Sequence, residues 1–128
     1  MRKGSIMATI LILLQVFVAL GIYNVWIIRA RKATAFRGGD AKTISEEFKN
    51  YGLPSVFVPI VGGLKLLAAT CLIAGIWFPE LVKPSAGLIA FLMLGAVAMH
   101  IKVKDPIFKA LPAAGMLVLN ILIIAGHL

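Results

Sequence analysis

The sequence predicts an all-α integral membrane protein, a four-helix bundle with a short interfacial helix in its first loop. Three observations carry that prediction. Of the 128 residues 61% are hydrophobic and only 14% are charged, where a soluble domain carries roughly 25% charged residues. The excess sits in four apolar runs, Ile6–Ile28, Val56–Phe78, Ser85–Ile101 and Pro112–Leu128. A hydrocarbon core of about 30 Å takes about 20 residues of helix, with about 17 at the short end. Finally, lysine and arginine collect between the runs and almost never inside them. With flanking residues the spans become about 6–28, 55–78, 84–101 and 107–128, and residues 1–128 read as a single transmembrane domain.

The first span has a basic start, Arg2 and Lys3, like a secretory signal. Its apolar run continues to Ile28 and ends in Arg29, Arg31 and Lys32, so a retained helix is expected. Tyr23 and Trp26 near its end, and Trp77 near the end of the second span, stand where amphipathic rings settle at a membrane interface.

The connector 29–53 is too long for a bare turn. Within it Arg37-Gly38-Gly39-Asp40 reads as a turn, because glycine tolerates positive φ. Thr43 and Glu46 have capping-box spacing, with Glu46 placed to reach back to the Thr43 amide. Ile44, Phe48 and Tyr51 then recur on one helical face, and Gly52 and Pro54 supply the stop. This predicts an amphipathic helix over about 43–51, its apolar face against lipid or the bundle, with Glu46, Glu47 and Lys49 on its solvated side.

In the second span Pro59 falls within the first turns, where the missing N–H costs little. Residues 78–85 turn tightly into the third span. After it, Asp105 reads as an interfacial cap with Pro106 at the first helical position. Pro112, six residues on, is expected to break or kink the helix before the fourth apolar run.

A net charge of +8 invites a nucleic-acid partner, but its placement rejects one. The loop 29–53 carries six Lys/Arg and the connector 102–109 three, against Arg2, Lys3 and Lys83 on the opposite side. Cytoplasmic loops attract these residues. Both basic loops are therefore expected in the cytoplasm, with both termini on the outer side of the cell's inner membrane. Cys71 is the single cysteine, which excludes dithiol redox chemistry by this chain alone.

The side chains that do not belong in lipid carry the remaining information. Lys65 is the only charged residue from Val56 to Phe78, about 14–16 Å deep by helical rise. Asn120 comes to a similar depth from the same side. Asn24 and His100 lie nearer the edge. A lysine at the bilayer centre costs about 2.5–3.5 kcal/mol on insertion scales. Gly62, Ala68 and Ala69 share its face, and small residues let helices approach, so this face points into the bundle. Two readings stand for Lys65. It serves a functional cavity, or it is satisfied by Asn120 or carbonyls, or snorkels to an interface. No carboxylate lies in any apolar run, so Lys65 meets a folded-in loop acid, binds an anionic ligand, or is neutral. His100 is either a ligand-contacting group or a histidine bonded to Asn24 or a carbonyl. Gln15, Thr70 and Asn120 read as interhelical hydrogen-bonding residues. No spacing suggests a metal site.

The stretches "EEFKNYGLP", "VGGLKLLAATCLIAGIWFPELVKPSAG" and "FLMLGAVAMHIKVKDPIFKALPA" resemble the DoxX-like family of small four-helix membrane proteins. The likeness runs from Tyr23 through Pro112. It implies a four-helix bundle, with relatives linked to membrane redox or oxidative-stress complexes and one animal branch that assists receptor assembly. Relatives often have a glutamate at the position of Lys65, so this chain departs from them there.

The expected function is that of an accessory or assembly subunit of a membrane complex, with no self-contained catalytic site. The alternative is a quinone-linked subunit of a membrane oxidoreductase, with Lys65, Asn24 or His100 at the quinone head group and a partner chain carrying the electrons. A small oligomeric transporter ranks last, because the first span offers only Gln15 and Asn24 where such exporters use an embedded acid. The expected partners are the lipid bilayer and other membrane subunits or a second copy. No cofactor is expected within the chain, a quinone being the one candidate.

Overall fold

The structure, a computed structural model, describes residues 3–29, 36–39 and 41–128, with side chains from Ile6 onward. Arg31, Lys32 and Asp40 lie outside the described residues. The elements are α1 (Lys3–Tyr23), α2 (Ile44–Asn50), α3 (Phe57–Ala74), α4 (Val82–Lys102) and α5 (Ile107–Gly126). A π-helical turn, Asn24–Ile28, continues α1, and a 3₁₀ turn, Pro79–Leu81, leads into α4. No strand occurs among the described residues. Four segments are long and apolar enough to cross a membrane: Ile6–Ile28, Phe57–Ala74, Pro79–Lys102 and Ile107–Gly126.

Short connections make sequential helices antiparallel neighbours, and the ring runs α1, α3, α4, α5 and back to α1. The core follows from residue size. Ala19, Ala68, Ala69 and Ala86 are buried where helices meet, and Val18, Ile22, Leu72, Ile89 and Ile123 fill the space between them. Leu13, Phe17, Leu67, Phe91 and Ile121 point outward and are exposed. Such an apolar exterior suits lipid, where association rests on close packing and interhelical hydrogen bonds rather than on water exclusion.

Buried backbone groups in lipid need partners, and one comes from α1. Helix α3 ends at Ala74, and the Ile76 amide turns back to the Ile73 carbonyl, so the Leu72 carbonyl belongs to the last turn, whose acceptors lack helical donors. Gln15, 1% exposed, supplies that donor: its Nε2 lies 2.9 Å from the Leu72 oxygen. Thr70 likewise bridges to the Tyr23 hydroxyl at 2.8 Å. That contact lays the Tyr23 side chain along α3.

The loop helix behaves as its capping residues dictate. Thr43 Oγ1 accepts from the Glu46 amide at 3.1 Å, while the Glu46 carboxylate accepts from the Lys42 amide at 2.8 Å, one residue before the Thr43 amide expected. Ile44, Phe48 and Tyr51 pack on Trp26, Val58, Val61, Met99 and Val103. The apolar face of α2 is thus spent on the bundle, not on lipid.

Pro59 occupies the third residue of α3, where no intrahelical donor is needed. Of the break or kink expected at Pro112, the break does not occur: α5 is continuous through it. Proline removes a single hydrogen bond, to the carbonyl four residues back, and membrane helices tolerate this when the rest of the ladder and the neighbours hold.

Gln15→Leu keeps the volume but leaves the Leu72 carbonyl without a donor in an apolar core. The expected loss is about 1–3 kcal/mol, read as a lower unfolding midpoint in detergent with unchanged helix content.

Candidate functional site

A cavity of about 690 Å³ opens at the end of the bundle that carries α2 and the α4–α5 turn. Its inner wall is Ile22, Met93, Met116 and Leu119, and its polar groups are Asn24, Arg29, Arg37, Glu47, Lys65, His100 and Lys109. The exposed lining residues, among them Phe17, Val25, Phe36, Pro112 and Gly115, all belong to α1 with its π-turn, the loop after it, or α5. The mouth therefore faces sideways, between α1 and α5, toward the lipid phase. Toward the other end the two helices close: the place of a side chain on Gly21 is taken by Met116, and on Gly126 by Leu11.

Lys65 is placed by a missing side chain. A Cβ on Gly62 would lie 2.6 Å from two carbons of the Trp26 ring, so glycine there lets the indole rest on the backbone of α3. One turn on, the Lys65 ammonium lies over that ring, 5.4 Å from its centroid, a cation–π arrangement. The π-turn delivers the ring. The Arg29 amide donates five residues back to the Asn24 carbonyl at 2.8 Å, and such wide turns recur at functional sites. Lys65 is 8% exposed. It lies about 12 Å inside the start of α3 by helical rise, with no hydrogen bond or ion pair to any described residue.

Above the lysine the polar groups are paired. His100 Nδ1 and Asp105 Oδ2 are 2.8 Å apart, with side chains 7% and 5% exposed. The other oxygen of Asp105 accepts from the Gly39 amide at 3.0 Å and faces the Lys109 ammonium at 4.0 Å. Lys109 in turn donates to the Gly39 carbonyl. Gly39 has a φ of +60°, a conformation that favours glycine, and so offers both its amide and its carbonyl to the turn before α5. Arg37 donates to the Arg29 carbonyl at 2.6 Å and pairs with Glu47 at 3.8 Å. Glu47 also accepts from the Gly38 amide at 2.6 Å. Together these bonds latch the loop residues 37–39 onto α2 and the α4–α5 turn.

Two groups in the latch are shifted. Burial pushes the Tyr51 hydroxyl up, and the Glu47 carboxylate beside it, its hydrogen-bond acceptor, pushes the same way. Burial also opposes ionisation of Asp105. Hydrogen bonds from His100 and the Gly39 amide, with the Lys109 charge, outweigh it and hold the carboxyl below its ordinary range.

Of the residues singled out in the sequence, Lys65, Asn24 and His100 line one cavity. Asn120 does not. It is fully buried beyond the cavity's inner wall, where its Nδ2 donates to the Met116 carbonyl at 2.7 Å and its Oδ1 has no described partner. It neither satisfies Lys65 nor bridges helices. The partner of His100 is Asp105, not Asn24 or a carbonyl. Asp105 does not cap α5 either: the capping position is Pro106, and no side chain bonds there. Its carboxylate is drawn instead to His100 and Gly39. Glu47, read as solvated, is 14% exposed and turned inward. Periodicity missed Glu47, Arg37 and Trp26; the signal available was Gly38-Gly39, whose close approach to Tyr51 and Asn50 draws the loop in.

The sequence profile of the DoxX-like family matches residues 6–123 of the chain. The protein belongs to the DoxX-like family. Neither the curated proteins nor the solved structures contain a significant match. The DoxX-like match therefore covers three spans in full, the fourth up to residue 123 and the whole cavity, and assigns neither a ligand nor a partner to them.

The depressed Asp105 carboxyl sets a pH dependence. A group whose folded-state value lies below its unfolded one stabilises the fold at neutral pH, and that contribution is lost as pH falls through the folded value. Asp105→Asn is expected to lower the melting temperature by a few degrees at pH 7. Its deficit against the wild type should shrink below the ordinary carboxyl value of 3.8. Melting in detergent across the acid range checks this.

Proposed function

We propose that this DoxX-like protein is an accessory subunit of a membrane complex, and that its contribution is to hold an amphiphile in the lateral cavity. The observation that supports this reading is a buried lysine, without a hydrogen-bond partner among the described residues, facing a cavity whose mouth opens between α1 and α5. A pocket with apolar walls and a few convergent polar groups is the usual form of a small-molecule site. Here most of the polar groups are buried or half-buried toward the loop end, while the exposed mouth is mainly apolar with Asn24 and Arg29 at its rim, an arrangement that suits an amphiphile entering from a bilayer. Nothing in the arrangement pairs a nucleophile with a base: His100 is engaged with Asp105, and Cys71 stands alone. Chemistry in the complex falls to a partner chain.

A second reading, the quinone-linked subunit, is favoured by one feature. Asn24, His100 and Lys65 line the same cavity, and Asn24 and Lys65 offer hydrogen-bond donors to ring carbonyls. In either reading we place the basic loop end in the cytoplasm, following the excess of Lys and Arg there.

Purification of the full chain in mild detergent, with mass spectrometry of extracted lipids and co-purifying chains, tests the proposal. The wild type is expected to carry a near-stoichiometric amphiphile and a recurrent membrane partner. Lys65→Met should lose the amphiphile while keeping its helical circular dichroism. An identical set of bound molecules in both proteins, or none in either, overturns the reading. A quinone as the retained molecule selects the second one.

A further inference from the structure

We propose that Lys65 anchors the carboxylate of a single-chain amphiphile whose tail leaves the bundle between α1 and α5. The assignment rests on the cavity reading above and names the ligand's chemistry. An ammonium carries three donors and no acceptor, and Lys65, 8% exposed, gives none of them to a described residue. The Trp26 face, 5.4 Å away, returns about 0.5–2 kcal/mol but accepts no conventional hydrogen bond. A charge left so is costly in an apolar setting, and a carboxylate repays it with charge-assisted bonds.

The rest of the cavity selects for the same ligand. Its single described acid, Glu47, is held by Arg37 and by the Gly38 amide, and it does not come within ion-pair distance of Lys65. Arg29, Arg37, Lys65 and Lys109 give the lining a positive balance. An anion therefore meets net attraction on its way in. The lining beside Lys65 includes Ile22 and Met116, and its exposed rim includes Phe17, Val25 and Pro112, surfaces that match a hydrocarbon chain, with Asn24 and Arg29 among them. The mouth is one helix–helix gap, pinned where Met116 fills the notch at Gly21. A single chain threads such a gap. A two-chain phospholipid would have to bring its glycerol and second chain after the head group to a depth of about 12 Å.

The test uses the full chain in nonionic detergent. The protein has two tryptophans, so Trp77→Phe leaves Trp26, the ring beneath Lys65, as the reporter. The probes are oleate, methyl oleate and acetate. Oleate should change Trp26 emission saturably and bind roughly 10- to 100-fold more tightly than the ester, the range that a charged hydrogen bond supports. Acetate at matched concentration should give no response. Lys65→Met should reduce oleate to the affinity of the ester, and Lys65→Arg should keep the preference. The acid–ester comparison in unaltered Lys65 protein decides the matter even if Lys65→Met fails to fold. Equal affinity for acid and ester overturns the anionic anchor while leaving the lateral cavity standing. An acetate response equal to that of oleate overturns the tail. A preference that survives Lys65→Met overturns the role of Lys65. No response to oleate, with an amphiphile of another class recovered on purification, overturns this assignment alone.

Discussion

The contact of the Trp26 ring with the backbone of α3 at Gly62 is the constraint on which the rest of the structure depends. One absent side chain lets a large ring from the end of α1 lie where a Cβ would stand 2.6 Å from its carbons. The ring's face then supports Lys65. Its edge meets Phe48 at 6.0 Å and 90°, which gives α2 its seat. From Phe48 the aromatic contacts pass to Tyr51 at 6.1 Å and from Tyr51 to His100 at 5.9 Å. A buried lysine, a loop helix and the end of α4 are thereby ordered through one run of rings. Edge-to-face contacts of this kind contribute about 0.5–1.5 kcal/mol each beyond the area they bury.

Electrostatics divide the site in two. Among the described charged groups that line the cavity near the loop end, all but the exposed Arg29 have a partner. Asp105 has His100, the Gly39 amide and Lys109, and Glu47 has Arg37 and the Gly38 amide. Pairs that bury charge repay desolvation only when the remaining donors and acceptors are also satisfied, and the two glycine amides do that here. Lys65 lies deeper, with the indole against it and Glu47 acting only beyond ion-pair distance. The contrast is one of position. The loop residues 36–39 and the α4–α5 turn reach the outer groups, whereas a helix interior presents Lys65 no free carbonyl. Where backbone can fold in, charges are neutralised; below that level the cavity supplies the space.

Much of this was legible from residue order alone. Run lengths and the rarity of charge inside them determine the four spans, because lipid tolerates no other solution for the backbone. Thr43 and Glu46 announced α2, since a cap is a local matter. Gly62, Ala68 and Ala69 indicated that the Lys65 face turns inward. The misreadings share a cause, which is that each concerned a side chain whose partner lies far along the chain. Asp105 looks like a cap beside Pro106, yet its partners include Gly39, 66 residues away. Glu47 looks solvated on a helical wheel, yet the turn at Gly38 folds over it. The seat of Trp26 on Gly62 went unseen because nothing in its own segment discloses that glycine. Asn120 and Lys65 share an estimated depth, but depth does not specify which side of a helix faces which, and the two side chains face different surroundings.

The position of Lys65 also bears on its departure from the glutamate that the resemblance suggests there. The face of an indole is the negative pole of its quadrupole, and it attracts a cation and repels an anion at the same distance. Glu47 lines the same cavity, so a second carboxylate would meet like charge across a poorly screened space. Both neighbours favour a positive group at position 65, and Gly62, which admits the indole, lies on the same face one turn earlier. The lysine, the glycine and the tryptophan therefore form one unit, and a glutamate placed in this surround would require Trp26 or Glu47 to move. In this chain the buried charge is positive because the wall it rests on is built for a cation. A ligand drawn to it carries the opposite sign.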